Sequence, residues 1–177
     1  ALQDNTEGVN NVALGSQALA DNTTGTHNTA VGYAALTRNL ASHANTAVGH
    51  AALSSTNAPH NTAVGDNALA VVEVGPANTA VGSAAGQFTL GSGNVFIGYQ
   101  AGMNEIGSNR LYIANSSTKT LVYGQFDTKL VGIDTTSPSN TLDVNGSVRV
   151  RGLATGGVAP LAVDANGVLI IEPLSPS

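Results

Sequence analysis

The sequence contains no cysteine and no tryptophan, and charged residues make up only 10% of its 177 residues. The absence of cysteine excludes disulfides, thiolate nucleophiles and cysteine-ligated metal sites. The six lysines and arginines form no basic stripe that could neutralise phosphates, so we expect no nucleic-acid binding and no attraction to anionic membrane surfaces. No stretch approaches the ~18 consecutive apolar residues of a membrane-spanning helix, which predicts no membrane insertion.

Large side chains are scarce as well. Aromatic residues account for 4% of the chain, and most of its 42% of apolar residues are alanine or valine. A disordered chain would carry more charge and less apolar mass. The composition therefore predicts an ordered protein with a thin, closely spaced core.

A nine-residue phrase recurs six times at a spacing of 16 or 17 residues. Its strongest copies begin at Asn28, Asn45, Asn61 and Asn78, and weaker copies run from Asn11 to Leu19 and from Asn94 to Gly102. Self-similarity at a fixed period is the signature of a stacked repeat. The sequence thus predicts a rod-like array over residues 1–107 and a separate module over residues 108–177.

Each phrase has the pattern of a coil with one or two short strands. Threonine and valine alternate between an asparagine and a glycine, and the alanine-rich segment that follows is too short for a stable helix. We therefore predict an all-β fold, a β-solenoid (β-roll) with one coil per phrase. The predicted roles are an asparagine ladder, a buried valine and a glycine at a bend: Asn28, Val31, Gly32, Asn45, Val48, Gly49, Asn61, Val64, Gly65, Asn78, Val81 and Gly82.

The thin core also predicts an oligomer. One valine, one leucine and a few alanines per coil bury too little apolar surface to offset the entropy of ordering about sixteen residues. Additional burial must come from other chains. We therefore expect the small residues of the repeat to pack near an axis shared between copies.

The phrase Asn28–Leu36 resembles the head repeats of trimeric autotransporter adhesins. It is more closely similar to repeats of bacterial and phage tail-fibre proteins, which are often followed by an endosialidase-type chaperone domain. The later segments Leu111–Asn115, Val131–Pro138 and Leu142–Gly146 also resemble the region that follows such repeats. The resemblance covers about residues 10–152. It implies a homotrimeric β-rod in an extracellular or cell-surface location.

The C-terminal module is predicted to be β-rich. Strands are expected at 111–114, 120–126 and 129–133, and two hairpins are expected around Asn145-Gly146 and Asp164–Gly167. The most apolar strand candidate lies near the end of the chain. This strand can pair within the second hairpin, or its free edge can pair with another subunit and join units end to end. The residues concerned are Val168, Leu169, Ile170 and Ile171.

Residues that could carry chemistry have simpler interpretations. His27 and His60 share one repeat position, but no carboxylate accompanies them at ligand spacing, so we expect solvated turn residues, no metal and no cofactor. One threonine recurs in each strong copy of the phrase. Its preference for β-strands explains this recurrence, although flat threonine ladders can also order water. Tyrosines and arginines are also common in sugar-binding sites. The simpler roles here are packing for the tyrosines and protection of a strand edge for the arginines: Tyr33, Tyr99, Tyr112, Tyr123, Arg149 and Arg151.

The sequence shows no nucleophile turn and no glycine-rich phosphate loop, so we expect no enzymatic activity. Our interpretation is a structural subunit of an extracellular or surface fibre or filament that self-associates as a homotrimer, with the trimers either discrete or joined end to end. The alternative is the receptor- or glycan-binding tip of an adhesin or tail fibre. A tip should expose a clustered aromatic or charged patch, whereas a shaft should be neutral along its length.

Overall fold

The repeat folds into a stack of parallel strands. The structure, a computed structural model, describes residues 1–70, 75–149, 161–163 and 169–171. It confirms the all-β fold and the β-solenoid, since all regular structure in these ranges is strand. The strands are β1 (Val12–Leu14), β2 (Thr29–Val31), β3 (Thr46–Val48), β4 (Thr62–Val64), β5 (Thr79–Val81), β6 (Val95–Ile97), β7 (Arg110–Ala114), β8 (Thr120–Gln125), β9 (Leu130–Ile133), β10 (Leu142–Val144), β11 (Leu161–Val163) and β12 (Leu169–Ile171).

Strands β1 to β7 pair in parallel, each with the next along the chain. Their register follows the sequence period, so that Thr29 lies beside Thr46 and Ala30 beside Ala47. The seven strands define six solenoid turns. At about 4.8 Å between neighbouring strands, these turns extend for roughly 29 Å.

The sheet continues beyond the last phrase. Strand β8 pairs antiparallel with β7 and β9, and β10 pairs parallel with β9, which completes a ten-stranded sheet. The compact unit that contains this sheet runs from Ala1 to Gly146, and a second unit comprises Ser147–Ser177. The predicted start of the module at residue 108 therefore falls inside the first unit.

The two predicted hairpins have different outcomes. Strands β11 and β12 pair antiparallel, as predicted for the second hairpin. The hairpin at Asn145-Gly146 is wrong, because β10 pairs with β9 and residues 147–149 form no strand. The backbone N–H of Asn145 donates to the Ile133 carbonyl at 3.0 Å, and its side-chain amide donates to the Asp134 carbonyl at 3.2 Å. These bonds join the segment to β9 in place of a two-residue turn.

The core consists of alanine and leucine columns. Fully buried alanines occupy the centre of the repeat strands, and fully buried leucines come from the turn that follows. The valines predicted for the buried position lie on the outer face instead, because side chains alternate along a strand and the central alanine points inward. These columns are Ala30, Ala47, Ala63, Ala80 and Leu19, Leu36, Leu53, Leu69.

The core changes composition at the sixth strand without losing its packing. Phe96 replaces the inward alanine, and glycine replaces leucine in the two neighbouring turns, at Gly86 and Gly102. A Cβ atom at Gly86 would lie 2.5 Å from Cδ2 of Phe96, and one at Gly102 would also meet this ring. One large ring therefore occupies the space that two leucines fill elsewhere.

This exchange predicts opposite effects of one substitution in two backgrounds. Gly86→Leu should destabilise the native chain because the new side chain meets Phe96. In Phe96→Ala, which should itself cost about 3–5 kcal/mol, the same leucine should be stabilising. Leucine tolerates the backbone, since Leu36 has φ 52° and Gly86 has φ 56°. Chemical denaturation of all four variants measures the effect, and destabilisation of equal size in both backgrounds would contradict this packing.

Candidate functional site

The repeat asparagines form a buried ladder along the rod. The side-chain oxygen of each accepts the backbone N–H of the next, at 2.8–3.0 Å. The last oxygen, on Asn94, accepts the N–H of Arg110 at 2.8 Å. Most of the side-chain nitrogens donate to turn carbonyls, for example Asn28 to Ser42 at 2.8 Å, whereas Asn45 donates to the Ser42 hydroxyl at 3.2 Å. The ladder therefore links each coil to its neighbour through a side-chain oxygen and a backbone N–H.

A second ladder consists of hydrogen bonds between asparagine side chains. Asn22 donates to Asn5 at 2.7 Å, and Asn39 donates to Asn22 at 2.9 Å. Each amide nitrogen also donates to the carbonyl three residues ahead, as in Asn39 to Ser42 at 3.0 Å. Sequence reasoning missed this ladder, although its signal is visible: the three asparagines are spaced 17 residues apart in the turns.

The repeat glycines form a third column at the end of each strand. Their φ values run from 110° to 141°, where L side chains are strongly disfavoured. Each glycine also lies against the carbonyl of the equivalent residue in the next coil, which is a glycine except after Gly98, where it is Ala114. The column consists of Gly15, Gly32, Gly49, Gly65, Gly82 and, at the end, Gly98.

An uncharged stripe runs along the outer face of the parallel sheet. We call it the apolar stripe: Leu14, Val31, Val48, Val64, Val81, Ile97 and Ile113. Five of these side chains are 36–67% exposed, and the valines of β2 and β3 are half-buried. The stripe ends at a concavity of about 510 Å³ lined by Ile97, Ile113 and Leu121, with Lys119 and Asp134 also contributing to its lining.

The predicted histidine and tyrosine candidates lie in different surroundings. The His27 Nε2 lies 3.1 Å from the Asn10 amide nitrogen, and within the described residues no three histidine or carboxylate groups come together as a metal site. Tyr112 packs between Phe96 and Tyr123, with ring centroids 5.9 and 5.0 Å apart. Tyr33 and Tyr99, in contrast, are about half exposed.

A carboxylate closes the last turn of the solenoid. Glu105 accepts the Tyr112 hydroxyl at 2.5 Å and the Gly107 N–H at 2.6 Å. Burial raises the pKa of Tyr112 far above its ordinary value, and the hydrogen bond and negative charge of Glu105 raise this pKa further. The fold therefore stabilises the neutral phenol.

This raised pKa predicts a loss of stability in alkali. The unfolded chain releases the Tyr112 proton near the ordinary pKa of about 10, whereas the folded chain retains it. The stabilisation is complete below that pH and is lost as the pH rises toward the folded-state pKa. We expect the melting temperature of Tyr112→Phe to fall less than that of the native chain between about pH 9 and pH 11. The control is the exposed Tyr99→Phe, and identical pH profiles for the native chain and Tyr112→Phe would refute the assignment.

The predicted inter-subunit segment is only partly within the described residues. Val168 lies outside them, and Leu169–Ile171 form β12, whose backbone pairs with β11. Arg149 is exposed, and Arg151 also lies outside the described ranges. Among the described residues, no helix is long and apolar enough to cross a bilayer.

Comparison with family models, curated proteins and solved structures finds no match to this chain.

Proposed function

We propose that the protein is a non-catalytic structural subunit of an extracellular or cell-surface fibre, in which three copies associate along their rods. The observation that supports this most strongly is the apolar stripe. It repeats once per coil, carries no charge and extends over the entire parallel sheet. Contiguous exposed apolar surface of this kind is typical of an interaction surface.

The partner that fits the stripe best is another copy of the same chain. Each coil presents one branched side chain at the height of one strand, and an identical rod presents the same side chains at the same spacing. Copies arranged around an axis parallel to the rod would therefore match coil to coil. The burial would add to a core in which the strand contributes only an alanine in most coils.

End-to-end joining of these trimers is a second part of the proposal, located at the C-terminal end of the chain. One edge of β12 pairs with β11. Pairing of its other edge with a strand of another subunit would be strand addition, which can generate open assemblies. Deletion of residues 168–177 should shorten filaments and retain the β-type circular dichroism spectrum. Filaments of unchanged length from the truncated chain would refute this role.

Electron microscopy of the purified protein tests the fibre proposal. We expect rods with a three-fold cross-section, either discrete or joined end to end. Isolated rods only one chain wide would contradict it. The alternative function, a glycan-binding tip, is favoured by one surface feature, the contact of Tyr33, His50 and Asp66 on three successive coils.

A further inference from the structure

The sixth position of the nine-residue phrase is one of the few that the fold leaves free. The first position forms the buried ladder, the third and ninth form the core, and the fifth requires glycine. The sixth position is exposed in all coils but one, where it is half-buried. Its occupants also differ in chemistry from coil to coil: Ser16, Tyr33, His50, Asp66, Ser83 and Tyr99.

Three successive coils place functional side chains in contact at this position. The rings of Tyr33 and His50 stack with centroids 5.5 Å apart and an interplanar angle of 10°. The Nδ1 atom of His50 donates to Oδ1 of Asp66 at 2.9 Å, and the Asn67 amide donates to Oδ2 at 2.9 Å. We call these four residues the Tyr33 row. Each side chain is oriented by the next, which lowers the entropy cost of binding a ligand.

The open face of Tyr33 lies toward a small residue. The preceding coil carries Ser16 at the position equivalent to Tyr33. The Ala34 N–H donates to the Ser16 carbonyl at 2.9 Å, which places this serine beside Tyr33. Tyr33 remains 51% exposed although one face contacts His50. A ligand of several rings can therefore pack one ring against this face of Tyr33 and extend past the edge of the tyrosine toward the imidazole, the carboxylate and the amide on the next two coils.

This combination matches the chemistry of a sugar. The C–H bonds on one face of a pyranose are weakly positive and pack against the negative face of an aromatic ring. The hydroxyl groups of the following sugar units can donate to the Asp66 carboxylate and accept from the Asn67 amide. A negative ligand is disfavoured because Asp66 lies in the row and the chain has a net charge of −5.

We propose that the Tyr33 row binds a neutral pyranose oligosaccharide. This proposal rests on the glycan-binding alternative, to which it adds a binding site and a class of ligand, and it is separate from the structural role. The apolar stripe comes from the fourth position of the phrase and the Tyr33 row mainly from the sixth. Trimer formation and sugar binding can therefore fail independently.

Saturation-transfer NMR on the full chain provides the test, with cellotetraose, tetra-N-acetylchitotetraose and tetragalacturonate as probes. We expect at least one of the two neutral probes to bind and the acidic probe to bind at least 10-fold more weakly. Tyr33→Ala should lower the affinity of the bound neutral probe at least 10-fold. The matched control is Tyr99→Ala, which removes an equally exposed ring at the same repeat position.

Three results would overturn the assignment. They are no binding of either neutral probe, preference for tetragalacturonate, or equal losses of affinity in Tyr33→Ala and Tyr99→Ala. Circular dichroism and light scattering of the same samples establish whether each variant folds and assembles. Native protein that assembles as trimers without binding a neutral probe would refute the sugar site alone and leave the fibre proposal standing.

Discussion

Gly65→Ala is expected to cost more than about 3 kcal/mol of folding stability or to prevent folding of the solenoid. Gly65 has φ 141°, a region that only glycine adopts readily. A Cβ atom there would also lie 2.6 Å from the carbonyl carbon of Gly82 on the next coil. Neither backbone can withdraw without breaking the bond from the Gly82 N–H to the Val64 carbonyl, which is 2.8 Å long.

The matched control is Gly146→Ala. No atom lies within 4 Å of a Cβ built at Gly146, and its φ is not in the positive region. This variant should melt close to the native temperature. Thermal unfolding followed by circular dichroism measures both, and similar melting temperatures for the two variants would show that the glycine column is not required for the fold.

Ala47→Asp and Val48→Asp, one residue apart, are expected to fail at different stages. Ala47 is fully buried in the core, so an aspartate there leaves an unpaired buried charge and should unfold the chain. Val48 is half-buried on the apolar stripe. An aspartate at this position should leave the chain folded and abolish trimer formation.

Ser55→Asp, in the turn, is the control and should change neither property. Circular dichroism reports folding, and light scattering reports assembly. Loss of the β spectrum in Val48→Asp but not in Ala47→Asp would mean that the two faces of the strand are reversed. A folded Val48→Asp variant that still forms trimers would contradict the role of the apolar stripe.

Much of the solenoid could be predicted from spacing alone. A 16- or 17-residue period fixes which residues lie beside each other, and Thr29 indeed pairs with Thr46. The direction of each side chain was harder to predict. A strand with threonine, alanine and valine offers apolar groups to both faces, and only the packing against leucines such as Leu36 selects the small alanine for the interior.

Other features required contacts that the local sequence does not show. Asn145-Gly146 has the composition of a tight hairpin, but the pairing of β10 with β9 outweighs this local preference. The stacking of Tyr33 on His50 depends on residues 17 positions apart, and an aromatic residue and a histidine at equivalent repeat positions are its only sequence signal. The replacements at Phe96 and its two neighbouring glycines emerge only when distant repeats are compared, and the contacts of the Phe96 ring show that the three residues share one core volume.

The mass of the folded particle tests the central claim, a trimer of β-solenoid rods, most directly. Light scattering coupled to size-exclusion chromatography should give about three times the chain mass of 17.6 kDa, or a multiple of that value for joined trimers. The same fraction should show a β-type circular dichroism spectrum. A stably folded particle of 17.6 kDa would contradict the account.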